Sequence, residues 1–247
     1  MIEGYNNGYY TFYSTTFSGF TSFTDGSILY VDALRLGRSL ISGITVKNCS
    51  TTLSFFYLAA SLTNTFSLLT LTNVQGRIFR VTQQTTLLVN SLTISNNSCM
   101  ISSLFQSGCV AYVDINSVFT ISGATIANVS NVDTPGAIYM ENSILVLNNF
   151  NITNSSSLIG YGCIYIVNSI ANINNATFTY FTNGCLDLER STITITKSIF
   201  NNTNTTNFLN YYGSIIYCLD CLNLMIDTCL FVGNQNNSLT GSVKKIV

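Results

Sequence analysis

A chain of 247 residues can bury a sizeable core, and a hydrophobic content of 47%, with 12% aromatic, supplies one. Only 8% of the residues are charged, against a usual share of about 25%, and the net charge is -1. This balance offers nucleic acid nothing to pull on, which excludes that class, and it leaves a basic partner equally unsupported.

The polar residues are mostly uncharged: 30 Asn, 29 Ser and 31 Thr. One Pro, Pro135, and many Val, Ile, Thr, Phe and Tyr without helical periodicity predict an all-β chain. No apolar run approaches the roughly 18 to 20 residues of a spanning helix. The opening MIEGYNNGYY has neither a basic nor an apolar leader region, so no membrane-spanning or signal segment is expected in this stretch.

In chain order, residues 1–25 read as an irregular or degenerate coil, and 26–247 as a repeat. Its opening block, Gly-x-apolar-x-apolar, starts near Gly26, Ser54, Gly76, Gly108, Gly136, Gly162, Gly184, Gly213 and Gly241. The intervals run from 22 to 32 residues. Each unit continues with Ser and an alternating run (SILVLN, STITIT), then a third segment ending in Asn (GITVKN, NFNITN). Three strands of about five residues and three tight turns use about 22 residues, one rung of a parallel β-helix. Longer units place their extra residues after the third strand, the corner where a solenoid tolerates insertions. About eight three-strand coils of 22–32 residues, stacked at about 4.8 Å, predict a rod of roughly 40 Å.

Alternate residues such as Ile138 and Met140, Leu145 and Leu147, Ile193 and Ile195 should fill the core. The Asn that closes the third strand, at Asn48, Asn73, Asn96, Asn128, Asn154, Asn202 and Asn234, should form one column, a buried asparagine ladder.

With those residues in view, the chain resembles right-handed parallel β-helices of the pectin-lyase-like kind. PGAI at Pro135 to Ile138 and FVGN at Phe231 to Asn234 resemble the GGAI and FxxN repeats of polymorphic outer-membrane proteins, with Gly108, Gly136, Gly162, Gly184 and Gly213 matching the repeat-opening glycine. The resemblance covers about Gly26 to Val247 and implies a surface-exposed, adhesin-like passenger.

Candidate chemistry is sparse. Cys109, Cys163 and Cys185 each follow the repeat Gly and define a small-residue column, read either as stacked thiols or, for Cys163 with Cys185 one rung apart, as a disulfide. The pair Cys218 and Cys221 has redox or half-zinc-site spacing, but no His or second pair accompanies it, so no metal or cofactor is expected. In a strand those two side chains would point to opposite faces.

Acidic residues gather at the end of the first strand: Asp32, Asp114, Glu141, Asp187, Glu189 and Asp220. The resemblance implies that this face carries the substrate cleft of the enzymes, and Asp187, Glu189 and Arg190 are the trio best matched to such a role. One rung carries nearly all of it, so solvated strand-end charges are the other reading. Nine Asn open N-x-S/T triplets, little above the roughly seven that composition alone gives. Glycans are expected at Asn204, Asn236 and Asn175, and not on ladder residues Asn96 or Asn128.

Thr192 to Thr196 suggests an ice-binding array, but neighbouring rungs offer Ile144, Val146, Ile170 and Asn172 there. Leu40, Val118, Ile144 and Ile170 should form an outward apolar stripe, a partner surface. Neither end shows a cap, which predicts a segment of a longer chain or rods stacking end to end. Together these features predict a non-enzymatic extracellular or cell-surface rod, stalk or filament subunit that associates with itself, with adjoining segments or with glycans. A polysaccharide-binding or polysaccharide-degrading β-helix is the alternative.

Overall fold

In a computed structural model, the described residues are 2–4, 9–32, 38–60, 63–99, 108–131, 136–157, 162–182, 184–205 and 215–236. They form a parallel β-solenoid whose strands stack on three faces. Face 1 carries Leu29–Asp32, Ile138–Glu141 and Leu186–Glu189; face 2, Arg38–Ser42 and Thr192–Thr196; face 3, Thr45–Lys47 and Ile199–Asn201. Between Leu29 and Ile216 the chain makes seven turns, returning through Phe56, Phe79, Ala111, Ile138, Ile164 and Leu186. The shortest return, Ile164 to Leu186, takes 22 residues, and the longest, Phe79 to Ala111, takes 32. The segment read as degenerate is a further coil in register: Ile2–Gly4, Tyr9–Tyr13 and Thr16–Ser18 pair on faces 1, 2 and 3. Pro135, Gly213 and the rung opening at Gly241 lie outside the described residues.

The abundance of Asn has a backbone cause. Every corner of the triangular coil needs a residue in the left-handed region to swing the chain onto the next face, and Asn tolerates that conformation best after Gly. Among the described residues, 23 non-glycine positions have positive φ, and 11 of them are Asn. Asn142 and Asn168 turn face 1 into face 2, Asn149 and Asn175 turn face 2 into face 3, and Asn48 through Asn154 close face 3.

A second ladder, not anticipated from the sequence, lines the corner after face 1. The buried Ser117, Ser143, Ser169 and Ser191 stack, with Ser143 N–H donating to Ser169 Oγ at 3.0 Å and Ser169 N–H to Ser191 Oγ at 3.1 Å. The hydroxyls of Ser143, Ser169 and Ser191 in turn donate to a carbonyl two residues back, as Ser191 does to Glu189 O at 2.7 Å. These bonds satisfy corner amides that face the core, where an unpaired N–H would cost about 1 to 3 kcal/mol.

Inside, one face-3 column reads Val46, Leu71, Ile94, Ile126, Ile152, Phe178 and Phe200, each 1% exposed or less. Rungs tied by parallel hydrogen bonds hold such side chains in continuous apolar contact along the axis.

Candidate functional site

The ionisable residues collect on face 1, where strict register stacks them. Its central outward column is Tyr30, Tyr57, Arg80, Tyr112, Tyr139, Tyr165, Asp187 and Tyr217. Two residues further on, the next column reads Asp32, Ala59, Thr82, Asp114, Glu141, Val167, Glu189 and Leu219. Tyrosines stack on their rung neighbours: Tyr30 on Tyr57 with centroids 4.6 Å apart and rings within 8° of parallel, Tyr112 on Tyr139 at 5.4 Å and 13°. Arg80 fills the break between them, its guanidinium 5.3 Å from the Tyr57 ring and 6.0 Å from the Tyr112 ring, and it pairs with Asp25 at 2.5 Å.

The carboxylates beside the column serve the tyrosines. Tyr112 OH donates to Asp114 at 2.8 Å, Tyr139 OH to Glu141 at 3.2 Å and Tyr165 OH to Glu189 at 2.8 Å. Burial, followed by the hydrogen bond to Asp114, pushes the Tyr112 hydroxyl far above its ordinary range. Tyr165 departs from this stacking and meets Tyr139 edge-on, with centroids 5.6 Å apart and rings at 60°.

The trio Asp187, Glu189 and Arg190 is divided between two environments. Asp187 stands in the tyrosine column and is only 1% exposed, with Gly162 N–H donating to Oδ2 at 2.5 Å and Oδ1 without a partner. Burial pushes its carboxyl up to about 8, opposed by the Gly162 bond. Glu189 pairs with Arg190 at 2.9 Å, and Arg190, an αL corner residue, also donates to Asn168 at 3.0 Å. On this rung one carboxyl is therefore sealed and uncharged near neutral pH, while the other is half-buried and paired. Among the described residues no three His, Cys, Asp or Glu gather as a metal site.

The asparagine column is present, but on the outside. Asn73 donates to Asn48, Asn96 to Asn73, Asn128 to Asn96 and Asn154 to Asn128 at 2.8 to 3.3 Å, and all five are exposed. Tyr180 takes the next αL corner and separates Asn202 from the run. Asn234 lies one residue past the corner, which Gly233 occupies, and accepts from Thr203 N–H at 2.9 Å instead. The register differs from the expected one there because FVGN carries a glycine where other rungs carry the corner Asn. Replacing Asn128 by Ala removes two amide bonds and leaves Ala at φ 56°. A loss of about 2 kcal/mol is expected in denaturant titration, and Asn128→Gly, which keeps the φ, should lose about half of that.

Cysteine register also differs from the sequence reading. GCVAYVD holds one residue more before its Tyr than GAIYME, so Cys109 stacks on Gly136, while Val110, Ala137, Cys163 and Cys185 share the next column. Cys163 and Cys185 remain buried free thiols, and burial pushes the Cys163 thiol up to about 12. Cys109 is bonded to Cys99 instead. Cys218 is bonded to Cys221, because the αL turn at Asp220 reverses the alternation that would point them apart. Maleimide labelling of the native protein is expected to modify the partly exposed Cys229 and to spare Cys163 and Cys185 until denaturant is added. Rapid native labelling at Cys163 would contradict this placement.

Of the expected glycan sites, Asn175 is exposed but its amide donates to Asn149 at 2.7 Å. Asn204 and Asn236 lie on a short parallel pair, Asn204–Thr205 with Gln235–Asn236. Leu40, at 42% exposure, does not share a column with Val118, Ile144 and Ile170, but stands two residues along face 2 beside Thr65. Among the described residues no helix is long and apolar enough to cross a membrane.

No family, no curated protein and no solved structure matches the chain. The fold itself defines the class, an all-β parallel β-solenoid.

Proposed function

We propose that the protein is a non-enzymatic extracellular or cell-surface structural β-solenoid, acting as a rod, adhesin-like stalk or filament subunit of the pectin-lyase-like and polymorphic outer-membrane-protein type. The observation that carries this reading is that face 1, which among the described residues is the face richest in ionisable groups, commits them to partners within the rod: tyrosines to tyrosines, carboxylates to tyrosine hydroxyls, Arg80 to Asp25. Groups tied this way stiffen the rod and are poorly placed for proton transfer to a bound substrate. Self-association, or packing against adjoining segments of the same chain, supplies its partners. N-glycans at Asn204 and Asn236 would suit such a surface role. Asn175 would give up its bond to Asn149 to carry one, so intact glycopeptide mapping of the native protein is expected to find it bare.

Electron microscopy of protein purified from its native source, with surface immunolabelling of intact cells, tests the reading. Rods or fibres at the cell surface are expected. Intracellular protein that depolymerises or binds anionic polysaccharide, and loses that property in an Asp187→Ala, Glu189→Ala variant of unchanged fold, would replace it with the enzymatic or glycan-binding alternative.

A further inference from the structure

Three tyrosines of face 1 stand in an uninterrupted run, Tyr112, Tyr139 and Tyr165 occupying successive rungs in strict register. Their ring centroids are 5.4 and 5.6 Å apart, so each ring touches the next. Each hydroxyl also donates to a carboxylate of its own: Asp114 at 2.8 Å, Glu141 at 3.2 Å and Glu189 at 2.8 Å. Ring contact carries an electron from one phenol to the next, and a hydrogen-bonded carboxylate takes the phenolic proton as the electron leaves. Both features coincide on all three rungs. Tyr30 and Tyr57 stack more closely, but Ala59 stands where the other rungs carry the acid.

Charge and chemistry set the two ends of the run. Arg77 and Arg80 hold their guanidinium carbons 5.1 and 6.0 Å from the centre of the Tyr112 ring, and positive charge there opposes the loss of an electron. Asp187, next in the column after Tyr165, has no ring to continue it. Exposure rises along the same direction, from 4% at Tyr112 and 6% at Tyr139 to the half-buried Tyr165. An oxidising equivalent is therefore held at Tyr139 and Tyr165, the end nearer solvent.

We propose that Tyr112, Tyr139 and Tyr165 form a relay that takes up and shares a single oxidising equivalent, with small radicals of the peroxyl class as the oxidant. This function goes beyond the structural reading and does not depend on it. In the first step Tyr165 gives one electron to the peroxyl radical and its phenolic proton to Glu189. The peroxyl anion takes a proton from water and leaves as a hydroperoxide. Tyr139 then gives an electron to the Tyr165 phenoxyl, Glu189 returns the proton to Tyr165, and Tyr139 passes its own proton to Glu141. A small enediol reductant closes the cycle: its electron reduces the Tyr139 phenoxyl, Glu141 returns the proton, and the proton the reductant sheds replaces the one taken from water.

The test is flash photolysis of the full chain with tris(bipyridine)ruthenium and a hexaammineruthenium quencher, a soluble one-electron oxidant, read by freeze-quench electron paramagnetic resonance. Oxidant is kept below one equivalent per chain, so that the radical settles on the most easily oxidised ring. The phenoxyl hyperfine pattern should be unchanged by Tyr13→Phe with Tyr180→Phe, although those rings are 60% and 58% exposed. Tyr139→Phe with Tyr165→Phe should change the pattern and lower the yield. Glu141→Gln with Glu189→Gln keeps every ring and removes two proton acceptors. Phenoxyl formation should then slow by about 100-fold, the lower end of what a positioned proton acceptor contributes, in a protein whose melting curve shows it still folded. A pattern that follows Tyr13 and Tyr180, a pattern indifferent to the loss of Tyr139 and Tyr165, or an unchanged rate in the glutamine variant overturns the proposal.

Discussion

Phe178→Ala is expected to destabilise the rod by about 3 to 5 kcal/mol, the largest loss from any single truncation considered for this chain. Phe178 is fully buried, stacked on Phe200 at 4.9 Å within 4° of parallel, with Phe150 at 6.2 Å and Phe181 at 6.1 Å. Removing the ring leaves a cavity that cannot close, because its strand pairs with both neighbours through register-locked bonds, Ile152 above and Phe200 below. Phe178→Leu should cost far less, about 1 to 2 kcal/mol, since aliphatic residues fill this column on the five preceding rungs from Val46 to Ile152. Denaturant midpoints with unchanged slopes would measure both. Equal losses for Ala and Leu would mean that ring stacking, and not volume, holds the column.

The second large effect concerns Asp187 and has a definite sign. Its carboxyl titrates at about 8 in the folded chain and at the ordinary 3.8 when unfolded, so between these values the folded state holds a proton that the unfolded state does not. Stability should therefore be full below about pH 4, fall as pH rises to about 8, and level off above that. The total fall is a few kcal/mol, with about 6 kcal/mol as its ceiling. The sequence contains no His, so no other side chain of ordinary behaviour titrates through the middle of this window. Asp187→Asn keeps an acceptor for Gly162 N–H and cannot ionise. It should melt like the wild type near pH 4, melt higher near pH 9, and show a flat profile between. A wild-type profile that rises with pH over this range would mean that Asp187 is held ionised in the folded chain, against the direction its burial sets.

The same residue explains why an enzymatic reading looked open in the sequence. Asp187-Leu188-Glu189-Arg190 on one strand end has the composition of an acid-base site, and alternation correctly puts both acids on the outward side of face 1. Alternation cannot report that Asp187 replaces a tyrosine in a stacked column and is sealed there. Cys109 and Asn234 failed for a related reason: one inserted residue or one glycine at a corner shifts the register, and repeat spacing cannot say at which residue the shift is absorbed.

What the sequence determined alone is the rung: its three short strands, inward alternation and 22-residue minimum follow from the two-residue period of a strand and the length of a tight turn. The Asn at each corner were visible too, though their reason is backbone conformation before side-chain bonding. Tertiary structure alone decided which rung lies on which. The tyrosine column, the serine ladder, the outward asparagine run and the Cys99–Cys109 bond join residues 10 to 32 positions apart. In a solenoid those contacts depend on how many residues each corner spends, and only the parallel hydrogen bonds between coils settle that number.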